Sequence, residues 1–295
     1  MATPDSKTVA QRSIPGPGQN GPMQPAMLAL LLVVVGLLGW RAATRQRGTY
    51  RRFKRLKATR ARRKVYSRLL LESALVMGGL TAAVLLAAWP ELTPVLRQTQ
   101  DWVPVAAVRG FLGTPTGTAV WAAALVLAAA VIVAPVLLRG SAGEEGLDGI
   151  PAVGDIRALL PRERGELKFG VGLGLSAGVF EELLFRLAMP ALLFGILGLG
   201  PLSFLIAAVI FGMLHLYQGA LGILLATVLG LVFAAMYVLT GSIAAPIVLH
   251  ALVDLRSLVL IPIVVGGAWR TPEQPSAHPM RNQGNQKESP AESND

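Results

Sequence analysis

From Phe169 to Gly267 the chain is almost continuously apolar: 99 residues hold five Asp, Glu or Arg and no Lys. Gly and Pro divide this run at Gly198–Pro201, Gln218–Gly222 and Thr240–Pro246. The pieces approach the roughly 20 apolar residues that carry a helix across a bilayer. Spans are expected at Phe169–Pro190, Leu202–Leu216, Leu221–Leu239 and Ile243–Val265, with Ala191–Gly200 as a half-helix or re-entrant turn. Upstream, Ala26–Trp40, Leu69–Trp89 and Thr118–Leu138 repeat the pattern, and Pro90–Gly117 reads as a loop. The expected fold class is all-α, a polytopic transmembrane helix bundle of about seven spans.

Composition agrees. The chain is 53% hydrophobic and 15% charged, whereas soluble chains carry roughly 25% charge. A soluble globular domain and a disordered chain are both excluded on this ground. The net charge of +10 comes from one place: Arg41–Arg68 holds 13 Lys or Arg and no Asp or Glu, which leaves the remainder slightly acidic. A block of that kind beside a span is a positive-inside anchor on anionic lipid headgroups, not a nucleic-acid site. It puts residues 41–68 in the cytoplasm, the N-terminus outside, and the 139–168 loop inside. There is no cysteine, so disulfides, thiol catalysis and Cys-bound metals are excluded.

The chain divides into a disordered tail at 1–25, a first span with its basic segment at 26–68, and two further spans with a polar loop at 69–163. A functional core at 164–267 and a second disordered tail at 268–295 complete it. No internal repeat is visible, which argues against a transporter built from inverted halves.

Ionisable groups inside a bilayer are expensive and face a cavity or a partner. The core contains Glu181, Glu182, Arg186, His215, His250 and Asp254; the third histidine, His278, lies in the tail. Glu182 and Arg186 stand four residues apart, on one helix face and in salt-bridge reach, and read as a structural ion pair. Glu181 is rotated about 100° away, is left without a local cation, and suits a general base for water. His250 and Asp254 repeat the four-residue spacing on the last span. One Glu, two His and one Asp on three helices can converge only inside a bundle. Such a cluster activates water directly, binds a divalent metal, or stabilises an oxyanion. The glycines at 170, 172 and 174 with Ala177 read as a close-packing stripe. Tyr217 and Gln218 read as interfacial, with Gln218 in reach of a substrate.

Three motifs now stand in order on successive apolar segments: Glu181-Glu182-x-x-x-Arg186, Phe211-x-x-x-His215 and His250-x-x-x-Asp254. Together they resemble the CPBP family of intramembrane proteases, which includes the type II CAAX prenyl endopeptidases and bacterial bacteriocin-processing and self-immunity proteins. The resemblance covers roughly Arg164–Val265. It implies an endopeptidase acting on a peptide or membrane-protein substrate, with Glu181 as catalytic base and His215 and His250 positioning water or sharing a divalent metal such as Zn with Glu181. Asp254 falls where the family uses Asn or Asp; as a carboxylate it would orient His250 or bind metal. The composition suggests a bacterial chain, so the expected location is a bacterial inner membrane. The alternatives are a non-catalytic peptide-binding or immunity-type member, and a proton-coupled transporter.

Overall fold

The computed structural model describes residues 23–56, 58–139, 157–265 and 268. Residues 1–22 and 269–295, most of the 139–168 loop and His278 lie outside the described residues, while Met23–Pro25, read as the end of a disordered tail, open the first helix. Among those described, secondary structure is entirely helical. The elements are α1 (Met23–Trp40), α2 (Arg47–Arg55), α3 (Thr59–Ala88), α4 (Leu92–Gln100), α5 (Val103–Leu112) and α6 (Pro115–Arg139), then α7 (Arg164–Glu182), α8 (Met189–Leu197), α9 (Gly200–Met213), α10 (Gly219–Thr240), α11 (Ala244–Leu255) and α12 (Ile261–Val264). Among the described residues, five stretches are long and apolar enough to cross a membrane: Pro25–Arg55, Thr59–Gln100, Pro115–Leu138, Leu216–Thr240 and Ala244–Val264. The expected spans Phe169–Pro190 and Leu202–Leu216 are not among the five. The first carries Glu181, Glu182 and Arg186 within six residues. The second is the 14-residue α9, about 21 Å long at 1.5 Å per residue.

Two sequence boundaries shift. Pro90–Gly117 is not a loop but α4 and α5 with a short 3₁₀ turn before them. Pro90 and Pro104 sit in first helical turns, where a missing N–H costs nothing. The break expected at Pro190 does not occur either. α7 runs through a π-helical turn, Leu183–Ala188, into α8 as one helix, so the segment from Ala191 continues it and is no separate half-helix. In that turn the Met189 N–H reaches back five residues to the Leu184 carbonyl. The widened turn accommodates a proline two residues later that could not complete an ordinary one. The same device recurs at Arg256–Leu260, where the Ile261 N–H bonds the Arg256 carbonyl ahead of Pro262. The long helix ends at Gly198, whose φ of 68° closes a left-handed cap.

The α7–α8 rod is the axis of the bundle. α3 runs parallel to it: Arg62 meets Glu166, Tyr66 stacks on Phe169 at 5.9 Å, and Gly78 faces Phe180. α11 runs antiparallel on another side, with Gly170, Gly174 and Gly178 set against Leu258, Asp254 and Ala251. The contact stripe is therefore 170, 174 and 178; Gly172 faces Leu70 of α3 instead. α9 and α10 form an antiparallel hairpin whose tip is His215–Gln218. The main core draws Val34, Val84, Phe185, Leu192, Phe211 and Ala234 from six different segments. Large apolar side chains remain exposed along α3, α6 and α10, among them Leu75, Leu86, Val126, Leu127 and Leu224. Such surfaces would associate in water and match the hydrocarbon of a bilayer.

Candidate active site

At the C-terminal end of α7 the two adjacent glutamates face different ways. Glu182 and Arg186 are fully buried. Arg186 Nε lies 2.9 Å from one Glu182 oxygen, and Nη2 donates to the other at 3.1 Å. The guanidinium also sits over the rings of Phe211 and Phe233, at 4.8 and 5.4 Å. Two ring faces help to hold a cation that the bundle has taken out of water. The ion pair expected from the spacing is present, and Glu182 does more than the spacing suggested. Its carboxylate accepts a hydrogen bond from His250 Nδ1 at 2.7 Å, across from α7 to α11.

That bond orients His250. A carboxylate only accepts, so Nδ1 carries the proton and Nε2 points away from Glu182. The ring is held flat by Phe233, 5.1 Å away at 22°, and edge-on by Phe211 at 6.0 Å. Nε2 then faces two carboxylates, Asp254 at 3.8 Å and Glu181 at 4.0 Å. Both are only partly buried, with side chains 30% and 26% exposed. These separations exceed a direct hydrogen bond and match groups that share a water. The close approach depends on small residues. Gly174 and Gly178 let α11 come near enough that an added Cβ would lie 3.2 Å from Asp254 Cβ and 3.0 Å from Ala251.

His215 reaches the site from the hairpin tip. It follows the end of α9 at φ −86° and ψ 18°, so it sits in a turn and not within a span. Its Nδ1 donates to the Phe211 carbonyl at 3.0 Å, which leaves Nε2 as an acceptor in the neutral ring. Phe211 thus serves both histidines, by its carbonyl and by its ring.

His215, His250 and Asp254 all line one cavity of about 510 Å³. It runs between α3, α7, α10 and α11, past Leu69, Leu173, Leu225 and Leu229, to Arg41, Thr49 and Tyr50. Tyr217 and Gln218 line it too, joined by a bond from the Gln218 amide to the Tyr217 hydroxyl at 2.9 Å. Glu181 is not among the residues that line it and lies 4.0 Å from His250, which does line it. Among the described residues no three of His, Asp and Glu converge as a metal-binding group.

The residue that sequence reasoning undervalued is Glu182 in its bond to His250. The partner is 68 positions away, and no spacing rule reaches that far. Arg62 is a second case. Read as one of thirteen headgroup contacts, it is 1% exposed and bonded to Glu166 at 2.9 Å and to the Leu160 carbonyl at 2.9 Å.

The apolar helices make this an integral membrane protein. No curated protein and no solved structure matches the chain. Residues 164–256, which contain Glu181, Glu182, Arg186, His215, His250 and Asp254, match the family model described as Type II CAAX prenyl endopeptidase Rce1-like, the family of membrane proteases that the three motifs resemble.

Proposed function

We propose that the protein is an intramembrane endopeptidase that cleaves a peptide or membrane-protein substrate with water activated by Glu181. The observation that carries this reading is the arrangement around His250. Its Nδ1 is locked on buried Glu182, and its Nε2 faces Glu181 and Asp254 at 4.0 and 3.8 Å beside a large cavity. A substrate strand enters from the Arg41–Tyr50 end and lies along the apolar wall. Glu181 takes a proton from water as its oxygen attacks the peptide carbonyl carbon. The C–N bond then breaks, and the same proton passes from Glu181 to the departing amine. His250 holds the water through Nε2 and is kept in one orientation by Glu182. His215 Nε2 accepts from the water or from the substrate amide. Asp254 lies 3.8 Å from the same Nε2 and, as an acceptor when ionised, orients the ring through a water held between them.

The test compares membrane proteomes of cells carrying the wild type, Glu181→Gln and His215→Ala. Each variant is expected to accumulate normally and to leave the same substrate uncleaved, with activity down at least a hundredfold, the low end for removing a general base. Full processing by Glu181→Gln overturns the mechanism. A phenotype that survives loss of Glu181 supports a peptide-binding member without catalysis.

A further inference from the structure

We infer that the cleft between α2 and α3 is a binding site for the phosphate-bearing headgroup of an anionic phospholipid. The cleft has a volume of about 480 Å³ and is lined by Gly48, Thr49, Arg52, Lys64, Arg68 and Glu72, with Val65 and Leu69 at its base. Three cations and one carboxylate face it. Arg68 Nε is committed to Glu72 at 2.7 Å. Arg52 and Lys64 are exposed and make no ion pair among the described residues. The cleft therefore holds two uncompensated positive charges on two helices, aimed into one concavity.

The walls are built and not merely adjacent. α2 is strongly two-faced: Phe53 is fully buried and Tyr50 nearly so, in a small cluster with Val65, Tyr66 and Ala158. Its other face carries Arg51, Arg52, Lys54 and Arg55. The α3 wall is fixed by the buried Arg62–Glu166 pair. A headgroup that binds between such walls meets two preset cations.

Two features favour a lipid over a soluble phosphate. First, α3 continues from the cleft into an apolar helix, and Leu71 and Leu75 on its next turns are 60% and 66% exposed. Acyl chains from a headgroup at Arg68 would lie along these side chains. Second, a basic cleft at the end of membrane-crossing helices is where headgroup recognition by charge is strongest. Thr49 and Leu69 line both this cleft and the cavity that leads to His250. A bound headgroup therefore adjoins the mouth of the proposed substrate path, although the site stands whether or not that path is catalytic.

The test uses the full chain purified in detergent and native mass spectrometry with added phosphatidylglycerol, phosphatidylcholine or inorganic phosphate. Wild type is expected to retain one phosphatidylglycerol in preference to phosphatidylcholine, undisturbed by millimolar phosphate. The double variant Arg52→Gln/Lys64→Gln is expected to bind phosphatidylglycerol about tenfold more weakly, or worse, from the loss of two surface cations. A matched control, Arg51→Gln/Arg60→Gln, removes the same charge outside the cleft and should change affinity less than about twofold. Arg52→Lys, which keeps the charge and the fold, should bind like wild type. Equal loss in the control, no loss in the cleft variant, equal retention of phosphatidylcholine, or displacement by free phosphate would each overturn the inference.

Discussion

Glu181 and Glu182 are chemically identical neighbours, and the bundle gives them different surroundings. Glu182 is buried with Arg186 and His250 as partners, so removing it leaves a cation in the core without its counter-charge. Breaking a buried pair from one side costs about 3–5 kcal/mol. Glu182→Leu is therefore expected to lose accumulation in the membrane, or to melt far earlier in detergent, whereas Glu181→Gln melts like wild type and loses only activity. Thermal unfolding beside a cleavage assay separates the two. Asp254 allows a finer test. Its Oδ2 lies 3.8 Å from His250 Nε2, and an amide oxygen can take the same place. Asp254→Asn should keep activity within about tenfold of wild type, while Asp254→Ala, with no acceptor for a water beside Nε2, should lose substantially more.

At the scale of elements, the α7–α11 contact sets the distance on which the site depends. Glu181 and Glu182 are on one helix and His250 and Asp254 on the other. Their separation follows from Gly170, Gly174 and Gly178, which bring the backbones together as small residues do between membrane helices. A side chain at Gly178 meets the Ala251 backbone N at 3.0 Å, and a backbone cannot rotate away. Gly178→Leu is expected to cost about 1–3 kcal/mol and to abolish activity by moving His250 off Glu182. Gly172→Ala meets only the end of the Leu70 side chain and should be nearly neutral. Melting temperature and cleavage rate of the two variants check this contrast. The π turns at Leu183–Ala188 and Arg256–Leu260 act at the same scale. Each follows a pair of site residues and precedes a proline, so the turn that absorbs the proline also sets the register of the helix beyond the site.

For the whole molecule, the long-range tie is Arg62. It joins the start of α3 to the start of α7 through Glu166, and three more of its N–H groups go to Tyr66 and to the Ala158 and Leu160 carbonyls. Glu166 also accepts from the Arg162 backbone N–H at 3.0 Å. This hub holds α3 parallel to α7, and α3 forms one wall of the cavity. Arg62→Gln should destabilise the protein by about 3–5 kcal/mol, because it strands Glu166 in the interior. The double variant Arg62→Gln/Glu166→Gln should cost less than the two single changes combined. Unfolding of the four proteins in one detergent measures the coupling.

The sequence by itself determined that this is a helical membrane bundle, because apolar runs of span length interrupted by Gly and Pro allow little else. It also marked six ionisable positions, since charges in hydrocarbon are too costly to be idle. Spacing of four residues on one helix made the Glu182–Arg186 pair and the His250–Asp254 pair legible, because both partners lie on one turn-to-turn face. The tertiary structure alone decided the rest. Glu182 orients His250, Phe211 serves both histidines, and Arg62 leaves the basic block for the interior. The uninterrupted helix through Pro190 and the two helices in place of the 90–117 loop also came from it. Each of these depends on contacts between segments far apart in the chain or on a local hydrogen-bond shift. Periodicity records only what one helix does along its own axis.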